Sequence, residues 1–189
     1  MTYKKIINTI EIVKDLMKNY VSDGSIVLDC TVGNGNDTLI LAELVGNTGK
    51  VYGFDIQNVA IENTMQLLKD NELHNRVILI KDSHENIDLY VHENVDFIVY
   101  NLGYLPKGDK SIKTNRESTL DSLRKSLYLL KNNGLMSITV YIGHEGGMEE
   151  QEGIEEFLKG LNQKCFNVLK FDFINQINNP PVLYCVEKY

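Results

Sequence analysis

The stretch Asp29-Cys30-Thr31-Val32-Gly33-Asn34-Gly35-Asn36-Asp37 sets two glycines between two carboxylates. Gly33 and Gly35 permit a tight turn and let the backbone approach a ligand closely. The pair alone is a weak signal, because a plain tight connection uses the same residues and Thr38 stands where a third glycine would complete the dinucleotide fingerprint. Charge is more informative. Asp29 and Asp37 flank the place where a dinucleotide would put its pyrophosphate, and two carboxylates there repel it. S-adenosylmethionine carries no phosphate, and its ammonium and sulfonium groups are cations, so an acidic frame favours it. Asp37 fits a plain helix N-cap equally well.

Asp55 follows Gly35 by 20 residues, the position from which an acid accepts hydrogen bonds from both ribose hydroxyls. This marks an adenosine ribose without choosing the cofactor. Gln57 reads either as a contact to the adenine or ribose edge or as an exposed amide, and Asp82-Ser83-His84 offers groups able to hydrogen-bond an adenine ring. For His84 the plain alternative is a solvated loop side chain.

Asn101-Leu102-Gly103-Tyr104-Leu105-Pro106 resembles the Asn-Pro-Pro-Tyr motif of amino-group methyltransferases. In that motif the Asn carbonyl and a following backbone carbonyl accept the hydrogens of the acceptor nitrogen and aim its lone pair at the methyl group. Tyr104 would stack on a planar base. A turn with Asn as its former is the competing reading. Next along the chain, Lys107, Lys110, Lys113 and Arg116 against Asp109 and Glu117 leave a local charge of +2. Such a patch either anchors RNA phosphates around one target nucleotide or is a solvated loop. His144, in Gly143-His144-Glu145-Gly146-Gly147, is a candidate base for removing a proton from a protonated amine, with proton loss to bulk water as the alternative. It has no partners at metal-ligand spacing, so no metal site is expected.

The elements that must position these groups alternate. Residues 3–20 carry Ile6, Ile7, Ile10, Val13, Met17 and Tyr20 at helical spacing and predict an amphipathic N-terminal helix. Short apolar runs at 25–29, 50–55, 76–81, 95–101 and 135–141 read as buried parallel strands, with helical patterns at 37–45, 59–71, 86–91, 119–130 and 149–161 between and after them. The predicted fold is α/β, a Rossmann-like sandwich with a mostly parallel sheet and ligands at the carboxyl ends of the strands. The runs 166–174 and 182–188 have no helix between them and predict a C-terminal antiparallel hairpin on the sheet edge. Class I methyltransferases have that hairpin, and ordinary dinucleotide-binding domains lack it.

At 189 residues and 43% hydrophobic content, with no linker or repeat, the chain reads as a single domain over 1–189. Cys30, Cys165 and Cys185 are unpaired in pattern and read as buried thiols in a reducing cytoplasm. No stretch approaches the roughly 18 apolar residues needed to cross a bilayer. The net charge of −7 means that nucleic-acid binding needs a local basic patch.

The segments LDCTVGNGNDTLILA, VYGFDIQ, KDSHENI, NLGYLPKGDKSIKT and VYIGHEGGMEE run in order from residue 27 to 150. In them the chain resembles the YtqB-like family labelled rRNA methylases, which includes the MnmM-type tRNA (5-aminomethyl-2-thiouridine) methyltransferases. Lys107 departs from the glycine expected after the proline. The resemblance implies that Asn34, Asn36, Asp55, Gln57, Ser83 and His84 hold S-adenosylmethionine and that the NLGYLP and GHEGG segments border the acceptor pocket. It further implies methylation of the 5-aminomethyl group of wobble thiouridine, with the tRNA anticodon stem-loop as partner, and suggests a homodimer. Methylation of a base amine in rRNA or DNA is the rival within the same chemistry. An NAD-binding oxidoreductase and a non-catalytic cofactor-binding module are the rivals outside it.

Overall fold

The computed structural model describes residues 8–103 and 113–189. Among them, seven strands form one sheet in the order β3-β2-β1-β4-β5-β7-β6. These are β1 (Ile26–Asp29), β2 (Lys50–Phe54), β3 (Val77–Ile80), β4 (Val95–Leu102), β5 (Leu130–Val140), β6 (Phe166–Phe171) and β7 (Val182–Lys188). β1 to β5 pair in parallel, and β7 lies antiparallel between β5 and the edge strand β6. This is the class I methyltransferase arrangement that the alternation and the terminal hairpin predict.

Helices α1 (Thr9–Tyr20), α2 (Asn36–Leu44), α3 (Asn58–Asp70), α4 (Arg116–Leu129) and α5 (Gly147–Lys159) cover the sheet. Period-two alternation in β4 explains how one strand serves two layers. Phe97 and Val99 pack with Val13, Leu41 and Leu68 of α1, α2 and α3, whereas Ile98, Tyr100 and Leu102 pack with Leu123 and Ile154 of α4 and α5. All five of these β4 side chains are fully buried, each contributing about 1.5–3 kcal/mol of hydrophobic stabilisation. Asn101 sits between two of them, Tyr100 and Leu102, at the carboxyl end of the strand.

Several boundaries differ from the sequence reading for physical reasons. The buried stripe of α1 is Thr9, Val13 and Met17, so Ile10 and Tyr20 fall on its exposed flanks; Ile6 and Ile7 lie outside the described residues. α4 begins at Arg116, earlier than the apolar pattern suggests, because the Asn115 side chain accepts the N–H groups of Glu117 and Ser118. β5 begins at Leu130, directly after α4, where Leu130 pairs with Val95 before an irregularity in register. Cys30 and Cys185 are buried, but Cys165 is exposed at the turn into the hairpin, which corrects the reading of three buried thiols. No helix among the described residues is long and apolar enough to cross a membrane.

Candidate active site

The carboxyl ends of the parallel strands open into a cleft of about 1450 Å³. Its glycine loop is shaped by two left-handed residues, Gly33 at φ 54° and Gly35 at φ 77°. Both angles suit glycine, and a Cβ on Gly35 would come within 2.6 Å of Thr64 Oγ1 on α3. The loop is tied across the sheet to β2: the Gly33 N–H donates to Asp55 Oδ2 at 2.9 Å, and the Gln57 N–H donates to Asp55 Oδ1 at 2.8 Å. Each carboxylate oxygen is thus aimed by one backbone donor and retains a lone pair for a ligand hydroxyl. Burial pushes the Asp55 carboxyl up, and the two backbone hydrogen bonds oppose it.

Gly33, Asn34, Asn36, Asp37, Asp55, Gln57, Asp82, Ser83, His84, Asn101 and His144 all line this cleft, so the structure brings together most of the side chains that the sequence singled out. Asp29 and Gly35 are not part of the lining. The Asp29 carboxylate is fully buried, accepting the Thr31 N–H at 3.1 Å and the Thr38 hydroxyl at 2.6 Å. It braces the loop from behind. Burial, reinforced by the neighbouring Asp37, pushes its carboxyl up to about 7. Asp37 is not the helix cap either: Gly35 holds that position, and Asp37 sits in the first turn with Oδ2 accepting from Asn101 Nδ2 at 2.6 Å.

That hydrogen bond orients the Asn101 amide. A carboxylate only accepts, so the amide nitrogen must face Asp37 and the carbonyl oxygen is the group Asn101 can offer an amine. The Asn101 backbone N–H is also held, donating to Thr31 Oγ1 at 2.7 Å. Tyr104, Lys107 and Lys110 lie outside the described residues.

At the end of β3, Asp82 spends its carboxylate locally. It accepts from the Ser83 N–H, from Asn86 Nδ2 and from the Tyr90 hydroxyl at 2.8 Å, and the last of these does most to hold its carboxyl below the usual range. Ser83 caps the 3-10 turn His84–Leu89. His84 is only 8% exposed, its ring edge-on to Tyr100 with centroids 5.8 Å apart. Burial pushes its pKa down to about 4, so it is neutral near pH 7, and its Nδ1 has no hydrogen-bond partner in the structure. A buried ring nitrogen without a partner in the wall of a cleft is suited to a ligand's polar edge. The two-point Asp55 carboxylate and the His84 nitrogen together fit an adenosine.

Beyond β5, His144 Nδ1 lies 3.0 Å from the Glu145 carbonyl oxygen. The carbonyl can only accept, so Nδ1 is the donor in this contact. The basic set divides. Lys113 lines the cleft and donates to the Glu145 carbonyl at 2.7 Å, whereas Arg116 lies across Gly153 of α5, 3.5 Å from the Glu156 carboxylate. Two residues that the sequence reading passed over support this side. Glu150 is fully buried and accepts the hydroxyls of Thr114 at 2.8 Å and Thr119 at 2.6 Å, pinning the start of α4 to α5. Tyr141 lines the cleft wall. Among the described residues no cluster of His, Cys, Asp and Glu is arranged to hold a metal ion.

The family model described as "Putative rRNA methylase" matches residues 51–187. The chain belongs to that family. A protein of Arabidopsis thaliana named tRNA (mnm(5)s(2)U34)-methyltransferase, chloroplastic, is 38% identical over 191 residues, covering 94% of this chain and 69% of its own length. Of solved structures, a "putative rRNA-methylase" from Clostridium thermocellum is 48% identical with a TM-score of 0.95, each chain covered in full. A "putative methyltransferase" from Streptococcus mutans, solved in complex with SAH, is 35% identical with a TM-score of 0.87, again with each chain covered in full. This rRNA methylase family member thus matches proteins of its own size from end to end, including the glycine loop ahead of residue 51.

Proposed function

We infer that this chain is an S-adenosylmethionine-dependent methyltransferase that methylates the 5-aminomethyl group of wobble thiouridine in tRNA. The observation that carries the reaction type is the Asp37–Asn101 pair at the end of β4, an amide fixed with its oxygen available, facing the same cleft as the Asp55 and His84 adenosine groups. The Arabidopsis relative, named for the same nucleoside, supports the substrate. S-adenosylmethionine, when bound, supplies an electrophilic methyl group on a cationic sulfur. Asp55, Gln57, Ser83 and His84, with Asn34 and Asn36 of the loop, hold it. The Asn101 oxygen accepts a hydrogen of the substrate amine and turns its lone pair toward that methyl, and Tyr104 stacks on the base. His144 is the base proposed for the proton that a protonated amine must lose, with loss to bulk water as the alternative. Orientation of two reactants supplies roughly 7–11 kcal/mol of barrier reduction, so the site needs no nucleophile of its own. Lys107, Lys110 and Lys113 anchor phosphates beside the target nucleotide, with Arg116 farther out on the α4 flank.

Asp55→Ala is expected to weaken S-adenosylmethionine binding by about 1.5–3 kcal/mol, the range for hydrogen bonds to a charged group. NAD is expected not to bind, because its pyrophosphate would meet Asp37. Calorimetry checks both, and unchanged affinity in the mutant or tight NAD binding by the native protein would reject the assignment.

The substrate is tested with purified protein, S-adenosylmethionine and tRNA carrying 5-aminomethyl-2-thiouridine, followed by nucleoside mass spectrometry. The expected product is the methylaminomethyl nucleoside. If deleting the gene leaves wobble nucleosides unchanged while an rRNA methylation disappears, the substrate is rRNA instead.

A further inference from the structure

The N-terminal helix is more than a cover for the sheet, because α1 packs on α2 and contributes Ile10 and Lys14 to the cleft wall. Among the described residues, the lysines lining the cleft are Lys14 and Lys113. They belong to different walls. Lys113 is drawn to the Glu145 carbonyl beyond β5, whereas Lys14 lies on the Asp37 side, where burial pushes the Asp37 carboxyl up and the Asn101 hydrogen bond and the Lys14 charge oppose it. Among the described residues, Lys14 Nζ pairs with Glu11 of its own helix at 2.9 Å, with both side chains partly exposed. An i,i+3 pair of that kind is weak and readily exchanged for a ligand.

The glycine-loop side of the cleft suits the rest of the cofactor. Adenosine is held at the ends of β2 and β3 by Asp55 and His84, and the transferable methyl must face Asn101 at the end of β4. The remaining arm of the sulfur, the amino-acid arm, then runs along the wall made by the glycine loop, α2 and α1. That arm is a zwitterion, and the described residues of this wall that line the cleft include an anion, Asp37, and a cation, Lys14. Asp37 Oδ2 is engaged by Asn101, which leaves Oδ1 to meet an ammonium group.

We propose that Lys14 and Asp37 form a zwitterion subsite, with Lys14 Nζ pairing the carboxylate of the cofactor's amino-acid arm and Asp37 its ammonium. The proposal rests on the cofactor reading given above and adds α1 to the binding site. Through Lys14, binding also ties α1 to α2 and so stiffens the wall that holds Asn101 by way of Asp37.

The test is calorimetric titration of the full chain with S-adenosylhomocysteine and with 5′-methylthioadenosine, which lacks the amino-acid arm. Lys14→Ala is expected to weaken S-adenosylhomocysteine about ten- to a hundredfold, as for loss of a hydrogen bond to a charged group, and to leave 5′-methylthioadenosine unchanged. Lys14→Arg is expected to restore most of the loss. Equal weakening of both ligands, which a merely structural role for α1 would produce, overturns the subsite, and so does unchanged S-adenosylhomocysteine affinity. A native protein that binds neither ligand overturns the cofactor reading itself, a result distinct from either.

Discussion

Replacing Asn101 by alanine is expected to slow methyl transfer about ten- to a hundredfold while cofactor affinity stays within a few-fold. The argument is local. Asn101 lies on β4 between fully buried Tyr100 and Leu102, its backbone N–H is taken by Thr31 Oγ1, and its amide nitrogen is taken by Asp37, so neither main chain nor side chain is free to swing. What the alanine removes is an acceptor already aimed, whose hydrogen bond to the amine matters most when the nitrogen lone pair must line up with the methyl. The ribose and adenine groups at Asp55 and His84 follow other strands, β2 and β3, and are left in place. Single-turnover rates at saturating cofactor measure the effect apart from binding and product release. A mutant as fast as the native protein would remove Asn101 from the mechanism.

The mostly parallel sheet was legible because each strand is a short apolar run and each crossover a helical pattern, and a parallel sheet buried on both faces requires both. The C-terminal hairpin followed from two runs with no helix between them. Cleft positions followed from the carboxyl-end rule, which placed Asp55, His84, Asn101 and His144 at one mouth from their strands alone. Pairings across the cleft were not legible. Asp29 and Asp37 look alike in sequence as flanks of the glycines, yet Thr31 and Thr38 draw Asp29 inward while Asn101, far away in the chain, claims Asp37. The role of α1 was missed because a lysine on an amphipathic helix reads as solvated, and only the packing of α1 on α2 turns Lys14 toward the cleft. Glu150 did leave a trace. It falls four residues before Ile154 and eight before Leu158 on the buried stripe of α5, so its carboxylate had to find partners inside.

The buried Asp29 carboxylate leads to the second large effect, on stability. In an unfolded chain its pKa returns to the ordinary value near 3.8, whereas in the folded protein it is about 7. Between those two values the folded protein keeps a proton that the unfolded chain has released, so this group's contribution is full below pH 4 and is lost as pH rises through 7. The difference corresponds to a cost of about 4 kcal/mol at high pH. Asp29→Asn carries no charge at any pH and keeps both contacts, its Oδ1 accepting the Thr31 N–H and its Nδ2 donating to the Thr38 hydroxyl. It is therefore expected to match the native protein near pH 4 and to exceed it by up to about 4 kcal/mol above pH 7. His84 acts in the opposite sense, since its pKa is depressed to about 4 and its contribution is lost as pH falls, but both proteins share it and it cancels in the difference. Urea unfolding of the two proteins from pH 4 to pH 8 measures that difference directly, and curves that remain parallel throughout would mean that Asp29 ionises in the folded state as freely as in water.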